Sequence, residues 1–169
     1  YVRDSRINMI YEGTNTIQSL DLLGRKVLAD NGKKLKKFGA LVQAFVEEEG
    51  VREDLQEFVN PLADLGDKLT KLTTELGMKA FANADEVGGA AVDYLRVCGH
   101  LVFAYFFARM AKIALDKKKE LGESCDPFYA AKLHTARFYF AKLLPETAGL
   151  IRSARTGVAP LLAMDEALF

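Results

Sequence analysis

The chain has 169 residues, half of them hydrophobic, with 23 basic and 23 acidic side chains and a net charge of zero. That length fills one core well and is short for two, and the charge balance excludes a global field that would draw the chain to nucleic acid or to anionic membrane. Two cysteines, Cys98 in an apolar run and Cys125 in a polar turn, lack metal-ligand or catalytic spacing and read as free thiols of a reducing compartment.

The opening Tyr1-Val2-Arg3-Asp4 has neither a methionine nor a leader pattern and reads as the start of a fragment. Apolar residues recur at three and four positions almost throughout, without sustained alternation, which predicts an all-α fold. The first helix is expected near Asn15, capped by Thr14 or Asn15, with Gln18 reaching back. It runs through Ile17, Leu20, Leu23 and Val27 and ends at Asn31-Gly32. A second helix places Leu35, Phe38, Val42, Phe45 and Val46 on one face, with Lys33, Lys34, Lys36 and Lys37 at its start, and closes at Gly50. Those lysines form a basic amphipathic turn, read as a solvated face rather than a lipid or phosphate contact. Glu47, Glu48 and Glu49 oppose the dipole at the helix end and read as fraying.

Asn60-Pro61 supplies a cap and a first-turn proline for a third helix, whose Leu62, Leu65, Leu69, Leu72 and Leu76 form a packing seam. Gly88-Gly89 breaks the chain before a long helix that is apolar around much of its circumference and therefore belongs at the centre. Its most apolar part, residues 101–108, is far shorter than the roughly 20 residues of a membrane span. Phe103, Tyr105, Phe106 and Phe107 are assigned to the core. Gly122 interrupts this helix, Asp126-Pro127 caps the next, and Pro145 kinks or restarts the chain. Residues 146–169, broken by Gly157 and Pro160, are expected to dock on the bundle. The sum is an antiparallel helical bundle of about five helices, which residues 1–14 fit least. His100 and His134, lacking a second ligand at metal spacing, read as structural. Arg96, Arg109 and Arg137 on apolar helices require partners such as Asp93.

Chemistry concentrates in Ile10-Tyr11-Glu12-Gly13-Thr14-Asn15-Thr16-Ile17-Gln18. Gly13 permits a sharp turn beside a ligand, and the amides and hydroxyls of Thr14, Asn15 and Thr16 at a helix start suit an anionic cofactor. Spacing alone leaves Glu12 either a solvated, cap-proximal acid or a base.

The residues themselves resemble the C-terminal active-site segment of acyl-CoA dehydrogenases, from Arg3-Asp4 through Glu12-Gly13-Thr14 to Ile17-Gln18. The resemblance implies that Glu12 removes the α-proton of an acyl-CoA while the β-hydrogen leaves as hydride to FAD. It also implies that Thr14 and Thr16 contact FAD and that Gly13 lies against substrate. Thr16 stands where other branches have Gly or Gln.

Leu20-Asp21-Leu22-Leu23-Gly24-Arg25-Lys26 resembles a larger-subunit bacterial branch that includes 3-methylmercaptopropionyl-CoA dehydrogenases. Tyr94-Leu95-Arg96, Gly99-His100, Ala108-Arg109-Met110-Ala111 and Phe128-Tyr129-Ala130-Ala131-Lys132-Leu133 resemble that branch's extra helical domain. Residues 1–30 then correspond to the end of the catalytic core and 31–169 to the extension. The implied setting is the bacterial cytoplasm rather than the mitochondrial matrix. The implied partners are an acyl-CoA substrate, an electron-transfer flavoprotein as acceptor and a second copy in a homo-oligomer, with no metal, nucleic acid or membrane span. The fragment alone is expected to be inactive. The rival reading is a non-catalytic assembly module.

Overall fold

Short connections between long apolar helices force neighbours to run antiparallel. The computed structural model describes residues 2–10 and 14–168, and among them every regular element is helical. Helix α1 begins at Asn15–Leu20 and continues as a π-helix over Asp21–Leu28, with Ala29 N bonded to Gly24 O at 3.0 Å. Helix α2 is Lys33–Glu49, α3 is Gln56–Ala82, α4 is Glu86–Leu121, and α5 is Pro127–Phe138 followed by a π-turn, Tyr139–Leu143. Helix α6 is Glu146–Thr156. Single helical turns occupy Val2–Ser5, Arg6–Met9, Ala159–Leu162 and Glu166–Leu168.

Helix α4, about 54 Å long at 1.5 Å per residue, is the axis on which α1, α3, α5 and α6 pack. Its inner face presents Ala90, Tyr94, Val97, Leu101, Ala104 and Ala108, all buried. The alanines let neighbouring backbones approach closely, while Tyr94 fills the space where helices diverge. The seam of α3 is buried as its spacing predicts, from Leu62 through Leu76. Helix α2 is held through Phe38 and Phe45, whose rings each sit 5.8 Å from Tyr105 in edge-on geometry.

Several boundaries differ from the sequence reading. Helix α3 starts five residues before Pro61, because Phe58 and Val59 are fully buried and extend the seam upstream, outweighing the hydrogen bond that proline forfeits. Gly88 and Gly89 lie inside the first turns of α4 rather than before it. A Cβ at Gly89 would stand 3.0 Å from Val158 N, so this glycine serves close packing against the residues after α6. In α1 the wide π-turn rotates the inner stripe to Ser19, Leu23 and Val27, leaving Ile17 and Leu20 exposed. Beyond Val158 the tail does not dock: Leu161, Leu162, Met164 and Leu168 are exposed. Phe103 and Phe106, assigned to the core, are instead more than half exposed on the outer face of α4, whereas Tyr105 is buried. Helix α4 is apolar and long enough to cross a membrane by composition, but here one side of it packs against the bundle.

Other expectations hold. Asn31 and Gly32 end α1 with φ of 55° and 71°, the left-handed region. Asp126 accepts from Phe128 N at 2.8 Å, capping α5 with Pro127 in its first turn. Both cysteines are free, and burial pushes the Cys98 thiol up to about 12.

Charged groups between helices are paired rather than frayed. Glu49 is buried at the end of α2 and lies 3.5 Å from Arg52 and 3.4 Å from Lys112, so the fraying reading fails for this residue. Arg52 also reaches Asp54 and Asp116, which ties the α2–α3 connection to α4. Arg137 forks onto Glu57 and Arg155 onto Glu75, and Arg96 pairs with Glu146 through one nitrogen. These exposed pairs set register more than stability. Among the described residues Arg109 takes the face of the Tyr105 ring, at 5.4 Å, rather than an acid.

His100 occupies the junction of α4, α5 and α6. Tyr139 donates its hydroxyl to the His100 carbonyl at 3.0 Å and lies 3.0 Å from His100 Nδ1. With that single proton committed, Nδ1 is the protonated nitrogen, and Nε2 faces Glu146 at 3.5 Å. Glu146 is already engaged by Arg96. Burial, then the Arg96 charge, hold His100 below its ordinary value of 6.5. The folded chain therefore binds fewer protons than the unfolded one just below that pH, and stability falls as pH drops through it. Urea midpoints compared at about pH 7.5 and about pH 5.5 should show a smaller acid loss for His100→Gln than for wild type. Equal losses in the two proteins would remove His100 from the acid response.

Candidate functional site

The segment singled out by sequence lies at the start of α1. Glu12 and Gly13 fall outside the described residues, as does Tyr11; Thr14 and Thr16 fall inside. Thr14 is the residue before the helix, half-buried, with φ −85° and ψ −10°. Its carbonyl accepts from Gln18 N at 3.0 Å, which closes the first turn. Among the described residues its side chain makes no capping bond, so the expected Thr14 side-chain cap is absent. Thr16 is exposed, and its carbonyl accepts from the buried Ser19 hydroxyl at 2.7 Å. That bond uses backbone rather than the Thr16 side chain. The first-turn amides of α1 and the two threonine hydroxyls together form a donor set of the kind that receives an anion, and in that respect they fit the phosphates of a dinucleotide.

The described residues on either side of this segment in sequence are rich in exposed apolar side chains. Val2, Met9 and Ile10 are each at least 73% exposed, and Ile7, Ile17 and Leu20 are also exposed. Six large apolar side chains within twenty residues are too many for an ordinary solvated surface and mark a face built to be covered. Among the described residues no group of three or more His, Cys, Asp or Glu gathers as metal ligands would.

The structure also holds a feature that the sequence reading missed. A cleft of about 1120 Å³ runs between α2 and α3, reaching the end of α1 at Leu28 and the start of α4 at Val87. Neither Thr14 nor Thr16 lines it. The signal that would have found it is the small-residue face of each helix, Gly39 and Ala40 on α2 and Ala63, Gly66 and Gly77 on α3. These sit beside the apolar seams and leave space where neighbouring helices would otherwise fill it.

The family described as acetyl-CoA dehydrogenase C-terminal like matches residues 38–165. The broad-specificity linear acyl-CoA dehydrogenase FadE5 of Mycobacterium tuberculosis is 28% identical over 181 aligned positions, covering 100% of this chain and 29% of that protein. A butyryl-CoA dehydrogenase of Syntrophomonas wolfei is 28% identical, covering 99% of this chain and 28% of that protein. The 3-methylmercaptopropionyl-CoA dehydrogenase of Ruegeria pomeroyi is 30% identical, covering 86% of this chain and 25% of that protein. The chain thus spans less than a third of the length of the curated relatives it matches.

Proposed function

Because the chain belongs to the acetyl-CoA dehydrogenase C-terminal-like family, we propose that it is the C-terminal part of an acyl-CoA dehydrogenase that converts an acyl-CoA thioester to its 2,3-enoyl-CoA. The observation that carries this reading is the family match across residues 38–165, joined to the Glu12-Gly13-Thr14 segment that precedes it on the far side of α1.

Glu12 takes the α-proton at its carboxylate, a task suited to a base in a partly desolvated site beside a thioester-activated carbon. Gly13, having no side chain, lets the thioester lie close to the backbone. Thr14 and Thr16 hold the cofactor through their hydroxyls and the adjoining helix amides. FAD, when bound, accepts the β-hydrogen as hydride. An electron-transfer flavoprotein then reoxidises the enzyme, in the bacterial cytoplasm. The exposed side chains of Val2, Ile7, Met9, Ile10, Ile17 and Leu20 are where the upstream catalytic domains would pack, which supports residues 1–30 as the end of the core and 31–169 as the extension. Apart from those domains the chain is expected to be inactive. The test is anaerobic flavin bleaching in the full-length parent with acyl-CoAs of different length. Failure of every acyl-CoA to bleach a flavin-loaded parent would sink the reading.

A second reading, that residues 31–169 serve assembly, is favoured by Phe103, Phe106 and Ile113, which are exposed at three- and seven-residue spacing on the outer face of α4. A second copy of the chain would cover them in a homo-oligomer. Replacing Phe103 and Phe106 by Ser in the full-length parent is expected to lower the molar mass measured by light scattering; an unchanged mass would place any subunit contact elsewhere.

A further inference from the structure

We propose that the cleft between α2 and α3 binds a long-chain fatty acid, with its alkyl chain along the cleft and its carboxylate at the lysine-rich start of α2. This goes beyond the dehydrogenase reading and does not depend on it. The cleft persists because both of its walls are anchored elsewhere. Phe38 and Phe45 fix α2 against Tyr105, and the leucine seam fixes α3 against the core. Between them Gly39 and Gly66 face open space, with nothing within 4 Å of where a Cβ would stand.

The walls are apolar beyond what their composition implies. Thr70, Thr73 and Thr74 line the cleft, yet each returns its hydroxyl to a backbone carbonyl of its own helix, to Gly66, Leu69 and Thr70 respectively. What they leave for a ligand is largely methyl surface. From Gly32 to Val46 the α2 wall runs about 21 Å at 1.5 Å per residue. A mainly apolar trough of that length, about 1120 Å³ in volume, has room for an extended alkyl chain.

Charge gives the trough a direction. Lys36 lines it, Lys33 and Lys37 flank it, and among the described residues no ion pair engages any of these three. Lys34 alone is drawn to Asp30, at 3.9 Å, and Asp30 also caps the first amides of α2. The helix terminus is therefore already satisfied, and the anion's partners are lysine side chains. Asp67 also lines the cleft, on the α3 wall. At the lysine end Phe81 is 97% exposed and Met78 66% exposed, which gives an apolar flap where the ligand would enter. The basic turn that reads in the sequence as a solvated face thus becomes the polar mouth of an apolar trough.

The test is photolabelling of the full-length parent with a palmitate analogue carrying an alkyl diazirine, followed by peptide mapping. The expected result is adducts on peptides within residues 32–84, displaced by palmitate. Gly66→Leu fills the trough from a helical position that tolerates a side chain, and these adducts should fall by about tenfold or more while the thermal midpoint holds or rises. Gly39→Leu makes the same test from the opposite wall. Lys36→Glu should weaken displacement by palmitate a few-fold and leave displacement by hexadecanol unchanged. Adducts confined to peptides outside residues 32–84, or adducts unaffected by both glycine variants, overturn the proposal. Because labelling requires no flavin reduction, its failure is separable from failure of the dehydrogenase reading.

Discussion

In the full-length parent, Glu12→Gln is expected to slow anaerobic flavin bleaching by an acyl-CoA by about 10²–10⁴-fold with FAD retained, the range over which loss of a general base is felt. Glutamine keeps the shape and hydrogen-bonding capacity of the side chain and removes its basicity, so substrate binding should change far less than the chemical step. The split is diagnostic. A base acts only as the proton moves, so the variant should still bind an enoyl-CoA product analogue with near wild-type affinity while its bleaching rate collapses. Thr14→Val provides the contrast, because it removes a hydroxyl assigned to the cofactor and should lower flavin retention before it alters proton abstraction. Bleaching by Glu12→Gln at the wild-type rate would place the base elsewhere in the parent, and the Glu12-Gly13-Thr14 segment would then mark fold rather than mechanism.

What the sequence discloses follows the range of the interaction concerned. Asn31-Gly32 and Asp126-Pro127 are legible because their geometry is set by their own backbone, through a left-handed turn in one case and a carboxylate cap in the other. The Leu62 to Leu76 seam is legible because helical periodicity is itself a local property. Pro61 misleads, since the burial of Phe58 and Val59 against distant helices decides where α3 begins. Glu49 misleads for a similar reason: besides the nearby Arg52 its partner is Lys112, far along the chain on α4, and no local rule anticipates that pairing. Gly89 reads as a break and is in fact a contact, because its neighbour is the backbone at Val158. Of the candidate site, residue type offers Thr14 and Thr16 as donors at a helix start, whereas the role proposed for Glu12 comes only from resemblance. The cleft was not legible at all, because two small-residue faces make a trough only when tertiary anchors hold the helices apart.

Tyr94→Ala should be the most destabilising substitution on the axis helix, because Tyr94 is the largest side chain that the fold buries completely. Removing a buried aromatic ring costs about 3–5 kcal/mol through lost transfer energy and the cavity left behind. At about 2–4 °C per kcal/mol for a chain of this size, the thermal midpoint should fall by about 6–20 °C. The hydroxyl contributes much less, and its geometry says why. Thr73 donates its proton to the Leu69 carbonyl at 2.7 Å, so in the 2.7 Å contact between Tyr94 and Thr73 the tyrosine is the donor. Tyr94→Phe deletes that donor and leaves the Thr73 hydroxyl satisfied, for about 1 kcal/mol. Thr73→Val deletes the acceptor and strands a buried phenol whose other neighbour, the Cys98 sulfur, is a weak acceptor, for about 1–3 kcal/mol. The expected order of melting temperatures is wild type, Tyr94→Phe, Thr73→Val, then Tyr94→Ala. A Tyr94→Phe midpoint as low as that of Tyr94→Ala would show that the polar contact, rather than the filled volume, holds α3 against α4.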